Sequence, residues 1–322
     1  MGDISHSFGF KEESTWGTAV VVDKWVEFTS ETLERRQNTA VSNGIKAGRR
    51  YGGSGRRITR QDAGGTVNFE VATNKFGTFF KQLLGSVSSV NTVGTVWTHT
   101  FTPGTLTGKS MTIQKGIEKP DGTVAPFTYP GAKVVSLDFS NDQDGLLMMA
   151  AEFTAKQELT ATALAAPTYT TPTVFSYSEG TLKKGGVTMA SVRSVPSLKI
   201  MNNLLDERYF LGSTGLKAEP LNVPFDTISG ALDVEFQNTT DTYDAFAADT
   251  QLILVLLYEG AIIEGAHKFT VQITLNNVRF EGETPKVSGP ELVYQNVPFV
   301  GLDHATLSAA EIIYKTTDNA SL

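Results

Sequence analysis

Few residues of this chain have the types and spacing that catalysis or metal binding requires. The four histidines, His6, His99, His267 and His304, lie far apart, and no two have the spacing of metal ligands. His99 falls within a strand pattern, which favours a surface or cross-strand residue over a ligand. The chain contains no cysteine and none of the HExxH, P-loop or GxSxG patterns. The sequence therefore predicts no catalytic residue, no metal site and no cofactor.

One short acidic segment brings carboxylates close enough together to consider calcium. Asp138, Asp142 and Asp144 lie within seven residues, but the further acidic ligands of an EF-hand are missing. The aspartates and the glycine at 142–145 are also typical of a turn between two strands. A hairpin turn is the favoured interpretation, and a calcium loop is the alternative.

A basic, glycine-rich segment at 48–60 is the most unusual group of charged residues. It contains four glycines and five arginines, which are Arg49, Arg50, Arg56, Arg57 and Arg60. Such a composition cannot bury a core, so we expect a mobile loop in the free monomer. Arginine pairs well with phosphate, which fits a nucleic-acid arm, and it also pairs with carboxylates of a neighbouring subunit. Because the chain has a net charge of -7, we interpret the five arginines as a subunit- or ring-contact loop.

Length and composition limit the class of protein. With 322 residues, the chain has room for about two domains, each with its own core. The acidic charge argues against a nucleic-acid-binding protein of the usual basic kind. The longest apolar run, 252–257, is far shorter than the ~20 residues of a membrane helix, and the N-terminus lacks the blocks of a signal peptide. These features predict a soluble protein made in a cytoplasm.

Strand-forming patterns predominate along the chain. In the first half, strands are predicted at 20–28, 97–102, 111–117, 133–139 and 147–154. In the second half, they are predicted at 195–205, 232–237, 252–259, 269–280, 292–300 and 307–316. Each half has one predicted short helix, at 75–84 and at 241–248. The predicted fold class is therefore mainly β.

The two halves share a pattern. A strand that begins at Gly65 and carries Glu70 has a counterpart that begins at Gly230 and carries Glu235. A predicted helix and then a long hairpin follow in each half; the hairpins are predicted at 134–139 with 146–153 and at 270–280 with 291–299. We interpret the chain as one fold written twice, with a first unit at 1–163, a degenerate second unit at 164–322 and a seam at 160–172. Chance matching of general strand patterns is the alternative explanation.

The copies differ at the basic segment. The region of the second half that matches it, 219–224, contains no arginine. If the copies occupy similar positions in an assembly, this difference is a place where the contacts of the two units would diverge.

Four features of the first half occur together: residues 13–19 (ESTWGTA), the strand with Gly65 and Glu70, a helix ending at Leu84, and a hairpin at 134–153. In this combination the chain resembles the tail tube (major tail) proteins of long, non-contractile-tailed bacteriophages. The resemblance extends over most of the chain and is strongest from residue 13 to residue 154.

The resemblance implies two tandem tail-tube-type β-sandwich or barrel units, each with one short flanking helix. Their long strands would join those of neighbouring subunits in a closed barrel around a channel. It implies a structural virion protein rather than an enzyme, which polymerises into stacked rings and forms the conduit for genome ejection. Single-unit members usually form sixfold rings, so two units in one chain predict three chains per ring, and a trimer is favoured over a hexamer.

The resemblance also implies partners and a location. The partners would be other copies of the chain, a tape-measure protein and a tail-terminator protein. Duplex DNA would pass through the lumen without specific binding, and no membrane would be involved. The protein would be assembled in the host bacterial cytoplasm and end in the tail of the virion.

Two other classes of function stay open. A surface- or carbohydrate-binding β-sandwich component of the tail tip or fibre usually displays clustered exposed aromatic residues, whereas Trp16, Trp25 and Trp97 are scattered. A hydrolase on a β scaffold needs a nucleophile, a base and an orienting group, and no such set is visible.

Overall fold

Strands make up most of the protein. The computed structural model describes residues 5–48, 50–51, 53, 55–287 and 289–322. In the first half, the strands are β1 (Ser7–Glu12), β2 (Lys24–Trp25), β3 (Ser30–Glu31), β4 (Glu34–Val41), β5 (Arg56–Glu70), β6 (Gly85–Val93), β7 (Val96–Pro103), β8 (Met111–Glu118), β9 (Val124–Asn141) and β10 (Met148–Ala155), and the helix is α1 (Gly77–Leu84). In the second half, the strands are β11 (Gly180–Lys184), β12 (Val187–Thr188), β13 (Val192–Met201), β14 (Leu204–Leu205), β15 (Leu221–Asn222), β16 (Thr227–Glu235), β17 (Leu252–Glu264), β18 (His267–Phe280), β19 (Tyr294–Gly301) and β20 (Ala310–Thr316), and the helix is α2 (Tyr243–Ala247). The mainly β class is confirmed.

Alternation of apolar and polar residues explains most of the longer strands. In β5, Val67 and Phe69 are buried and Asn68 between them lies on the opposite face, as period-two patterning requires. The prediction at 20–28 was wrong in extent, because only Lys24–Trp25 forms a strand. Val21 is β-branched but exposed, and its segment has no pairing partner among the described residues, so strand propensity alone does not form a ladder there.

Six long strands form one antiparallel run in the order β5–β10–β9–β13–β16–β19. We call this run the six-stranded sheet. A second run has the order β6–β7–β20–β18–β17–β11–β12. The two runs meet where the end of β18 pairs with β19 over three residues. This arrangement is consistent with a β-sandwich, and the described residues of a single chain do not close into a barrel.

Strands from the two halves of the chain pair with each other in both runs. In the six-stranded sheet, β9 of the first half pairs with β13 of the second. In the other run, β7 pairs with β20. The halves therefore share their sheets, and their buried side chains form one continuous cluster.

Helix α1 fills the space between the two runs. The ring of Phe80 lies 5.7 Å from that of Phe101 on β7, 6.1 Å from that of Phe139 on β9 and 5.5 Å from that of Tyr314 on β20. The helix ends at Gly85, which adopts a left-handed conformation and donates its N–H to the carbonyl of Lys81. Seven of the eight residues of α1 are buried, whereas α2 buries only Ala245. The two helices, both predicted, thus differ in how fully they are covered.

The Gly65 and Gly230 motifs occupy matching positions in the six-stranded sheet. Gly65 lies opposite Phe153 of β10, and Gly230 lies opposite Phe299 of β19. On the other side, Leu198 of β13 lies opposite Gly230. In the same way, Leu33 lies beside Gly65, because Glu34 of β4 pairs with Gly64. The same three-strand register, leucine–glycine–phenylalanine, therefore occurs once in each half.

The predicted second-half hairpin, 270–280 with 291–299, is only partly correct. Strand β18 pairs with β19 at Val278, Arg279 and Phe280 alone. The rest of β18 pairs with β17 on one edge and β20 on the other. By contrast, β9 and β10 pair along the predicted first-half hairpin. The difference arises because β18 leaves the six-stranded sheet to enter the second run.

Candidate assembly surfaces

A long hairpin extends from one edge of the six-stranded sheet. It consists of β4 and the first residues of β5, and we call residues 34–60 the arm. Every residue of β4 is exposed, and its pairs run from Glu34–Gly64 to Val41–Arg56. Because the pairing leaves both faces of the hairpin in solvent, the arm buries no core of its own in the monomer.

The structure places the five predicted contact arginines differently from the expected loop. Arg56, Arg57 and Arg60 lie in β5, so the prediction of a mobile loop was wrong for these three. Their backbone groups are held by β4, a polar strand whose pairing the glycine- and arginine-rich composition did not reveal. Arg50 lies in the tip of the arm, with its guanidinium 5.8 Å from the ring centre of Tyr51. Arg49 lies outside the described residues.

Charge is concentrated on the arm. Residues 34–60 contain eight of the 27 basic residues of the chain and one of its 34 acidic ones, Glu34. Besides the five predicted arginines, the basic residues are Arg35, Arg36 and Lys46. The composition of residues 48–60 did not reveal these three, because Arg35 and Arg36 lie in β4 and Lys46 lies just before Gly48. An acidic chain thus carries a strongly basic projection.

The arm also exposes apolar side chains. Val41, Ile45, Tyr51 and Ile58 are all at least half exposed. Arginine and aromatic side chains next to exposed aliphatic ones are typical of protein–protein interfaces rather than of a solvated surface.

The base of the arm is fixed within the chain. The Nη1 of Arg60 lies 2.9 Å from the Oε2 of Glu207, and its guanidinium lies 5.0 Å from the ring centre of Tyr209. Burial and the nearby carboxylate of Asp62 raise the pKa of Tyr209 to about 12. In contrast, Arg56 and Arg57 make no ion pair with any residue that the structure describes. Of the three predicted contact arginines in β5, Arg56 and Arg57 are therefore the two that can form an ion pair with another subunit.

Two buried lysines hold segment 202–226 against the first half. The Nζ of Lys217, whose side chain is fully buried, lies 3.0 Å from Asp62 Oδ2 and 2.7 Å from Asp206 Oδ1. The Nζ of Lys133 lies 2.6 Å from Glu219 Oε1. Burial lowers the pKa of Lys133, and the carboxylate of Glu219 acts in the opposite direction. Two of these three ion pairs, Lys217–Asp62 and Lys133–Glu219, join the segment to the first half and so fix it beside the base of the arm.

Replacing Lys217 with alanine should destabilise the monomer by about 3 kcal/mol, because the carboxylates of Asp62 and Asp206 would lose their shared cation. Lys268→Ala is the matched control, since Lys268 is half exposed and lies 4.0 Å from Glu259. It should cost at most about 1 kcal/mol. Urea unfolding of both variants measures the difference, and equal losses of unfolding free energy would contradict this role of Lys217.

The face of the six-stranded sheet that points away from the core carries mainly small polar residues. Register places Thr66, Glu152 and Ser136 side by side on this face, and Lys199 beside Asp138. Asp62 and Lys133 lie on this face beneath segment 202–226; outside that part and the arm, its charged residues are Glu70, Asp138, Glu152, Asp233, Glu235, Arg193 and Lys199. Five are acidic and two are basic, so the face has a net negative charge.

The structure gives the other candidate residues ordinary structural roles. His99 is fully buried opposite Ser89, with its Nδ1 2.8 Å from Ser89 Oγ and its Nε2 3.0 Å from the carbonyl of Asp318. Burial lowers its pKa. The cross-strand interpretation is therefore confirmed and the surface one is wrong. The N–H of Gly145 donates to the carbonyl of Asp142 in the turn between β9 and β10, which confirms the hairpin turn.

The described residues contain neither a cluster suited to a metal ion nor a membrane-spanning helix. No group of three or more histidine, aspartate or glutamate side chains in this part of the chain is arranged to hold a metal ion. No helix in the same residues has the length and apolar character of a membrane span.

A family model for phage tail tube proteins matches residues 5–301. The chain belongs to the phage tail tube protein family. No curated protein matches the sequence. The match begins in the first half of this tail tube protein and ends within the second, so one family model extends over both Gly motifs. Family membership identifies a structural component of the phage tail and confirms the resemblance found in the sequence.

Proposed function

We propose that this tail tube protein polymerises into stacked rings that form the tail tube, the conduit for genome ejection, with three chains in each ring. The repeated leucine–glycine–phenylalanine register is the observation that carries this proposal. Two similar units in one chain, at 1–163 and 164–322, give a ring of six units from three chains.

The edges of the six-stranded sheet support ring formation. At one edge β4 is fully exposed, and at the other β19 pairs with β18 over three residues only. A sheet with open edges invites pairing with another chain, and closing the strands into a barrel removes those edges. Because the two edges differ, contact between copies is head-to-tail, and such contacts close into a ring when the rotation allows it.

The polar face of the six-stranded sheet suits the wall of the channel. Its excess of carboxylates repels the phosphates of duplex DNA, and its small side chains leave few groups to grip the DNA. The basic arm would then serve contacts between subunits rather than the lumen. Under this proposal, DNA passes the wall without specific binding.

We infer the remaining partners and the location from membership in the family. A tape-measure protein and a tail-terminator protein would be the further partners. The chain would assemble in the cytoplasm of the host bacterium and end in the virion tail.

Electron microscopy of concentrated, purified protein tests this function. We expect stacked rings or tubes with a central channel. A stable monomer that binds glycans under the same conditions would contradict the proposal and favour a tail-tip or fibre component.

A further inference from the structure

The junction between the two halves of the chain is a strand pair with a defined register. Strand β13 pairs on one edge with β16 and on the other with β9. On the β9 side, the uninterrupted part of this ladder runs from Leu198–Phe139 to Met201–Ser136. This four-residue ladder connects the second unit to the first.

The first unit has an equivalent of β13 that pairs with no second strand in the described part of the chain, although the carbonyl of Leu33 accepts from Lys115 and Tyr129 and its N–H donates to Glu31. Leu33 lies beside Gly65 in the position that Leu198 occupies beside Gly230. An alanine methyl built at Gly65 would lie 2.4 Å from the carbonyl oxygen of Thr32, and one built at Gly230 would lie 2.4 Å from that of Ser197. Residues 33–36 therefore correspond to residues 198–201. In the described part of the chain, β3 and β4 pair only with β5.

The second unit likewise has a segment equivalent to residues 136–139, the part of β9 that pairs with β13. Ser136 lies opposite Glu152, the residue before Phe153. The N–H of Glu281 donates to the carbonyl of Pro298, the residue before Phe299, at 2.8 Å.

By this correspondence, residues 281–284 take the place of residues 136–139. In the monomer they have no regular secondary structure, and Glu281, Glu283 and Thr284 are exposed. Each end of the molecule therefore presents one half of a junction that the chain completes only once internally.

We propose that the junction between neighbouring chains repeats the junction within the chain, so that residues 33–36 of one copy pair antiparallel with residues 281–284 of the next. In this register Leu33 lies opposite Thr284 and Arg36 lies opposite Glu281. Pairing at the Leu33 end would replace its backbone bonds to Glu31, Lys115 and Tyr129. This inference rests on the proposed ring and names the surfaces by which a second copy closes it.

Charge and backbone chemistry agree with this register. Arg36 lies opposite Glu281, which pairs opposite charges across the two strands. Glu34 lies opposite Glu283; Arg36 would lie between Glu34 and Glu281, and Glu283 has a cation of its own. Arg36 Nε lies 3.7 Å from Glu34, and Lys286 pairs with Glu283. The ladder also ends before Pro285, which has no N–H to donate.

In the same register, the rest of the arm would contact the next copy as well. Past Arg36, the arm continues along the next copy toward its loop 302–309. There Leu302 and Leu307 are exposed, and Asp303 carries a negative charge. To this contact the arm would contribute the exposed side chains of Val41 and Ile58 and its basic residues. Apolar contacts surrounded by opposite charges would then join the two copies.

Cysteine cross-linking tests the register directly, because the chain has no cysteine of its own. Residues directly opposite on neighbouring strands have Cα atoms about 4.5–5.5 Å apart, within the range of a disulfide. After assembly and oxidation, the variant Arg36→Cys/Glu281→Cys should give a ladder of covalent species on a non-reducing gel that ends at a closed trimer. Either single variant should give no ladder.

The internal junction supplies the matched control. The variant Ser136→Cys/Met201→Cys joins positions that pair within one chain, so it should form its disulfide without any ladder. Wild-type tubes together with no ladder from assembled Arg36→Cys/Glu281→Cys would overturn the proposed register and leave the tube function standing. Absence of rings from the wild type would overturn the function itself.

If the cysteine variant does not assemble, exchange of the two charges decides the question. Arg36→Glu and Glu281→Arg should each lower tube yield at least about tenfold, and the double variant Arg36→Glu/Glu281→Arg should restore it. Single variants that assemble like the wild type, or a double variant that restores nothing, would overturn the register.

Discussion

Replacing Arg56 and Arg57 with glutamate is expected to abolish tube formation while the monomer stays folded. Both side chains are exposed on the arm and make no ion pair with the residues that the structure describes, so the monomer loses little. In the assembly, the change would place two new negative charges against the carboxylates with which Arg56 and Arg57 are proposed to pair. Like charges across an interface cost several kcal/mol. Tube yield should fall more than about tenfold, as measured by sedimentation and microscopy.

A control with the same change of net charge is Lys11→Glu/Lys119→Glu. Both lysines are about half exposed in surface ion pairs away from the arm, with Asp23 at 2.7 Å and Asp121 at 3.8 Å. This variant should assemble much better than the arm variant. Thermal unfolding should show that both monomers are folded. Normal tubes from the arm variant would reject the contact role, and normal tubes with a loss of DNA binding would favour the nucleic-acid interpretation.

Replacing Gly65 or Gly230 with alanine should destabilise the monomer by at least about 2 kcal/mol. The added methyl would lie 2.4 Å from a backbone oxygen in both cases, that of Thr32 or that of Ser197, so two strands would have to separate. Similar losses at both glycines are expected because both occupy the same place in the repeated register. Urea unfolding of the monomer measures the effect.

Gly289→Ala is the control for these two variants. No atom lies within 4 Å of a methyl built at Gly289, so its unfolding free energy should change by less than about 0.5 kcal/mol. If Gly65→Ala or Gly230→Ala changes the unfolding free energy as little as this control, the strands do not approach closely at that motif.

The core strands and both helices were predictable from sequence because their side chains alternate or repeat with a regular period. Strands such as β10 and β16 bury every second residue, so their pattern is local. The Gly65 and Gly230 motifs were found for the same reason. Each combines a small residue with an alternating strand.

The arm was only partly predictable. Its charge was visible at Arg49, Arg50, Arg56, Arg57 and Arg60, but its hairpin was not. Strand β4 is exposed along its whole length, so it lacks the apolar alternation by which strands are recognised, and its order comes from pairing with β5. The course of β18 could also not be predicted from its own residues. Its departure from β19 depends on pairing with β17 and β20.

The central claim is that two units in one chain give three chains per ring. Cryo-electron microscopy of assembled tubes, with the symmetry of each ring determined without imposing it, tests this claim most directly. The repeated register predicts three copies of the chain per ring, arranged so that six similar units surround the channel. Six copies of the chain in one ring would contradict it.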